Sequence, residues 1–170
     1  MAYLHNFTGP DWEQEDDVTL VTVRYRGPRK KSTQLTDFEL PSAAGNERPA
    51  MEKVAEAVAS LGLPRERLER LKTAVAEATM NAMEHGNRYR ADQPVRIQAE
   101  SDGQQLRVRI TDYGGGTEIP AAETPDIDQK LAGLQSPRGW GLFLIKSMVD
   151  EMNVTDDGEK HTLELVINLE

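Results

Sequence analysis

Two runs of strict alternation constrain this chain more than any other feature. Val95, Ile97 and Ala99 are spaced by polar residues, Leu106, Val108 and Ile110 are spaced the same way, and Ser101-Asp102-Gly103-Gln104 lies between them. Successive strand side chains point to opposite faces, so the pattern predicts a β-hairpin with one apolar face. Such a face needs a cover, and the flanking sequence supplies helices. Met51, Val54, Ala55, Val58 and Leu61 recur at helical spacing until Gly62 and Pro64 stop them. A longer helix is predicted from about Arg65 to His85, with Leu68, Leu71, Val75, Ala78 and Ala82 on one stripe and Gly86 as a left-handed cap.

Before these helices "FELP" reads as a short strand. After "RGWG" (138–141) a last helix is predicted, with Leu142, Ile145, Met148, Val149 and Met152 on its apolar face. "NVTDDGEKHTLELVINLE" then reads as a second hairpin around Asp157-Gly158. Hairpins that alternate with helices predict an α/β (α+β) two-layer sandwich, a mixed, largely antiparallel sheet covered on one face by helices.

The 170 residues suit one domain with an appendage. The appendage is residues 1–33, where "VTLVTVRY" (18–25) reads as a strand between the acidic "DWEQEDD" and the basic, breaker-rich "RGPRKKSTQ"; the main domain is 34–170. A net charge of -9 repels phosphate backbones and argues against direct nucleic-acid binding. The chain has no cysteine, which removes disulfides and thiolate metal sites. With no leader and no apolar run able to span a bilayer, the expectation is a soluble cytoplasmic protein that does not engage a membrane.

Three motifs stand out. In "EATMNAMEHGN" (77–87), Glu77, Asn81 and His85 lie at i, i+4 and i+8, on a polar edge beside the apolar stripe. A solvated helix surface would account for them. So would a carboxylate and an amide oxygen held in a cleft, one to accept a proton and the other to ligate a hard cation. In "TDYGGG", Asp112 sits at a strand end and the glycines let backbone approach a ligand, although a plain glycine turn looks the same. Gly139 and Gly141 open a helix, where exposed N–H groups can bind an anion or simply form a tight entry. Residues 117–138, with three prolines and no periodicity, read as a functional loop or lid. No Gly-Lys-Ser/Thr follows the glycines, so a P-loop is excluded.

Taken in order, a helix with Glu-x-x-x-Asn, a strand with Asp-x-Gly-x-Gly, a long loop and Gly-x-Gly opening a helix resemble the GHKL (Bergerat-fold, histidine-kinase-like) ATPase superfamily. Within it, "TAVAEATMNAMEHGN" resembles the anti-sigma-factor serine kinases of the RsbW and SpoIIAB type, over roughly residues 36–169. The resemblance implies ATP and Mg²⁺ as cofactors, with Glu77 the general base for a serine hydroxyl and Asn81 the Mg²⁺ ligand. Asp112 would accept the adenine amino group, with Gly114 and Gly116 giving it room. Gly139 and Gly141 would approach the phosphates and Arg138 the γ-phosphate. His85 matches a common family residue, but a helix-end hydrogen bond would equally explain it. One departure is evident: the family often has Gly-Thr at the start of its last strand, whereas this chain reads "EKHTLEL", which leaves Thr162 as the candidate to support the adenine site.

"QEDDVTLVTVRY" resembles the last strand of the SpoIIE and RsbU type of metal-dependent serine phosphatase, and an acidic arm with an edge strand is the alternative. The expected function is an ATP- and Mg²⁺-dependent serine protein kinase. It would phosphorylate an anti-anti-sigma (STAS) protein, sequester a sigma factor and act as a homodimer. A protein-binding module that uses nucleotide only to set its shape is the alternative. A gyrase-like ATPase or histidine-kinase core is disfavoured, because no transducer domain or phosphoacceptor helix is evident.

Overall fold

The alternating runs become neighbouring strands of a five-stranded sheet in the computed structural model, which describes residues 32–115 and 140–169. In chain order the strands are β1 (Thr33–Leu40), β2 (Val95–Ser101), β3 (Gln105–Asp112), β4 (Glu151–Asp156) and β5 (His161–Asn168). Their order across the sheet is β1-β2-β3-β5-β4, and every described pairing is antiparallel. The helices are α1 (Glu47–Ala57), α2 (Arg65–Asn81) and α3 (Trp140–Met148). None of the helices among the described residues is long and apolar enough to cross a membrane.

Val95, Ile97, Ala99, Leu106, Val108 and Ile110 are all at most 1% exposed, so the alternation marks the sheet's inner face. They meet Val54 of α1, Leu71, Val75 and Ala78 of α2, and Ile145 of α3 in one core. Burying each larger aliphatic side chain contributes about 1.5–3 kcal/mol, which is what holds the helices on the sheet. Charged ladders occupy intervening positions of the strands. Arg96 donates twice to Asp37, at 2.9 and 2.7 Å, and holds its carboxyl below the usual range. Arg109 bridges Glu100 at 2.7 Å and Glu164 at 2.9 Å. An exposed pair such as Arg96–Asp37 contributes at most about 1 kcal/mol, so it favours the register more than it stabilises the fold.

Three expectations change. The first strand is not confined to "FELP" but starts at Thr33, because pairing with β2 reaches back to Ser101. Gly86 is not a left-handed cap. The α-helix ends at Asn81 and widens into a π turn, Ala82–Gly86, closed by Asn87 N–H donating to the Ala82 carbonyl at 2.8 Å. The positive φ angles fall on Arg88 (51°) and Tyr89 (54°) instead. The last helix stops at Met148, and Met152 reaches the core from β4: helical spacing at 149 and 152 could not tell a continuing helix from a turn into a strand. The N-terminal strand and its Asp-Asp pair lie outside the described residues.

Candidate active site

The 3.6-residue period of α2 sets Glu77 and Asn81 one above the other beside its buried stripe, both half-buried. The start of α3 lies across them. A Cβ on Gly141 would stand 2.5 Å from Glu77 Oε1 and 2.9 Å from Asn81 Nδ2, so glycine backbone rests directly on the two side chains. Neither side chain has a hydrogen-bond or ion-pair partner among the described residues. A carboxylate, an amide and the first turn of a helix therefore converge on one place, an arrangement suited to an anion with its counter-cation.

A second cluster forms where β3 ends. Asp112 is 8% exposed and packs against Gly86 of the π turn, where a Cβ would come within 2.3 Å of its carboxyl carbon. Gly114 passes so close that its own Cβ would fall 2.8 Å from Gly86 Cα. Here glycine is required for close approach, since neither residue has a positive φ. The carboxylate accepts the Gly114 N–H at 2.8 Å and lies 3.6 Å from His161 Nδ1. Burial nevertheless dominates and raises the Asp112 pKa above its ordinary value.

Among the expected residues the structure brings Glu77, Asn81 and Gly141 together, and separately Asp112 with Gly114. Thr162 is elsewhere: its hydroxyl meets Thr111 at 2.9 Å, and the residue directly across the ladder from Asp112 is His161. Adjacent residues on a strand face opposite ways, so Thr162 and His161 lie on different faces of β5. His85 is exposed on the π turn. Gly116, Arg138 and Gly139 lie outside the described residues.

One glycine of the Asp112 motif has a structural contact that the sequence does not show, and two further positions, Asn87 and His161, are not singled out by it. Gly115 would place a Cβ 2.3 Å from the Glu159 carbonyl carbon, and its N–H donates to Glu159 O at 3.2 Å, which ties the Asp112 loop to the β4–β5 turn. Asn87 is fully buried; it donates to Ser42 Oγ (2.9 Å) and Gln93 O (2.8 Å) and accepts the Tyr113 N–H (2.7 Å). An Asn next to a helix-ending Gly gives no sign of that knot. His161 begins an apolar alternation, and only the β3–β5 register reveals its neighbour.

No group of three or more acidic or histidine side chains that could hold a metal ion occurs among the described residues. Asn81 offers a single oxygen donor. That fits Mg²⁺ held jointly with nucleotide phosphates, which takes one or two protein ligands and completes its shell with phosphate and water.

Residues 40–167 match the histidine kinase-like ATPase domain family. The chain is similar to the anti-sigma F factor of Clostridium beijerinckii, 33% identical over 76% of this chain and 88% of that one. It is also similar to the anti-sigma F factor of Anoxybacillus flavithermus, at 32% over 78% and 90%. Among solved structures it is similar to the RsbU and RsbW domains of a Mycobacterium tuberculosis protein, with a TM-score of 0.55 and 18% identity. That likeness covers 78% of this chain but 31% of the solved one, and it is a likeness of fold.

Proposed function

From the premise that this chain belongs to the histidine kinase-like ATPase domain family, alongside the anti-sigma F factors, we propose that it is an ATP- and Mg²⁺-dependent protein-serine kinase. Its substrate is a STAS-domain anti-anti-sigma protein, and when not engaged with that substrate it holds a sigma factor. The observation that carries the kinase reading is the convergence of Glu77 and Asn81, without other partners among the described residues, under the backbone of Gly141.

In this reading Asp112 accepts the adenine amino group, and Gly86 and Gly114 keep side chains away from the base. Asn81 presents its amide oxygen to Mg²⁺, and the first turn of α3 presents N–H groups to the phosphates. Bound Mg²⁺ supplies charge neutralisation on the phosphates. Glu77 receives the proton of the substrate serine as the serine oxygen bonds to the γ-phosphorus, while the bond from that phosphorus to the bridging oxygen breaks and ADP leaves with its electron pair. Phosphoryl transfer depends chiefly on positioning and electrostatics, so one base and a fixed cradle suffice.

Single-turnover transfer of labelled γ-phosphate to a STAS-domain protein tests this. Glu77→Gln should keep ATP affinity while transfer slows by roughly 10²- to 10⁴-fold, the usual loss for an acid–base group. Transfer at the parental rate would remove Glu77 from the chemistry. If the parent binds nucleotide yet transfers nothing, the nucleotide-dependent binding module replaces the kinase.

A further inference from the structure

Among the described residues, His161 is the one imidazole the proposed reaction leaves unused that is also buried, at 6% exposure. Its two ring nitrogens address two carboxylates: Nε2 lies 3.1 Å from Asp156 on β4, and Nδ1 lies 3.6 Å from Asp112 on β3. The register fixes this bridge, since His161 is paired across the ladders with Asp112 on one side and Asp156 on the other. Of the other charged groups of the neighbouring turn, Glu159 is exposed and the remaining two face elsewhere. Asp157 accepts the N–H groups of Glu159 and Lys160, and the Lys160 ammonium stands 4.9 Å over the Tyr113 ring. On the π turn, Glu84 and His85 are exposed.

We infer that His161 is a positioning residue for nucleotide recognition: anchored by Asp156, it holds the buried Asp112 carboxylate ionised and oriented to accept a hydrogen bond from the base. The inference rests on the reading of Asp112 as the adenine acceptor. Burial works against the charge that this role needs, and within the cluster the Gly114 N–H and the imidazole oppose it, while Asp156 adds to the repulsion. Hydrogen-bonded to Asp156 through Nε2 and standing 3.6 Å from Asp112 through Nδ1, the imidazole lies between the two carboxylates and favours the ionised form of Asp112.

ATP affinity measured by calorimetry from about pH 5 to about pH 9 reads this out, because the acid limb reports protonation of the acceptor. In His161→Gln the loss of affinity should begin at higher pH than in the parent, while affinity well above the limb changes little. His161→Arg, which places a permanent positive charge beside Asp112, should return the limb toward its parental position. A purely structural role would lower affinity evenly across the range, and that result overturns the inference, as does an Arg variant that behaves like the Gln variant. Asp112→Ala, which removes the acceptor oxygen altogether, separates the two claims. If it retains parental affinity and preference for ATP over GTP, the adenine reading itself fails; if it loses them while His161→Gln leaves the limb in place, only the role of His161 fails.

Discussion

Replacing Gly141 with alanine should separate stability from activity. The glycine lies in the first turn of α3 with a φ that any residue adopts, so alanine introduces no backbone strain there. Alanine exceeds glycine in helix propensity by about 0.5–1 kcal/mol in a helix interior, and somewhat less is expected so near the end. The new methyl would nevertheless start 2.5 Å from Glu77 Oε1 and 2.9 Å from Asn81 Nδ2. Both atoms are ends of flexible side chains. The carboxylate can retreat about 0.9 Å and the amide about 0.5 Å to reach ordinary contact near 3.4 Å, at little cost to the fold. Catalysis does not tolerate such a shift, since a misplacement of about 1 Å can cost on the order of 10²-fold in rate. Gly141→Ala should therefore melt at or slightly above the parental temperature, while single-turnover transfer falls by roughly 10- to 100-fold, or about 1.4–2.7 kcal/mol of barrier. Transfer at the parental rate would show that Glu77 and Asn81 need not stay where α3 holds them. A loss of more than about 1 kcal/mol of stability, well outside the propensity difference, would show that the two side chains cannot retreat and that the contact is rigid.

Asp112→Asn should stabilise the unliganded protein at neutral pH. Burial raises the folded-state pKa of Asp112 above the ordinary carboxylate value, so the folded protein holds its proton more tightly than the unfolded chain. Stability from this group is therefore fully present below the ordinary value and lost as pH rises through the raised folded one. The advantage of the asparagine variant in thermal melts should shrink as pH falls through that window, and an advantage that is constant or grows toward acid would refute the assignment of the shift. Asn87→Ala should cost about 1–3 kcal/mol in urea unfolding, because it strands the Tyr113 N–H and breaks the tie to Ser42 and Gln93. A change below about 0.5 kcal/mol would mean that water replaces the knot.

The sheet was legible because Val95 to Ile110 obey a two-residue period that only a half-buried strand needs, and the order of helices and hairpins left few ways to cover it. The pairing of Glu77 with Asn81 was legible for the same reason, since helical spacing is itself a spatial statement. The π turn was not. It arises where Gly86 must pass beneath Asp112, a contact between residues 26 positions apart that no local propensity encodes. Thr162 drew notice as the residue type expected near the start of β5, yet a shift of one position along a strand reverses the face, and the cross-strand register gives His161 the place beside Asp112.

One continuous rod carries both ends of the candidate site. From Glu77 to Asn81 the α-helix advances about 6 Å along its axis at 1.5 Å per residue, and the π turn that follows without a break carries the chain on to Gly86. In the proposed reading the chain thus contains a ruler, with Glu77 as the mark for the chemistry and Gly86, beneath Asp112, as the mark for the base. Inserting or deleting one residue between them would change the gauge by about 1.5 Å and turn one mark about 100° from the other. The same edit nearer Arg65 would lengthen or shorten only the handle, so tolerance to length change should differ sharply between the two halves of one helix.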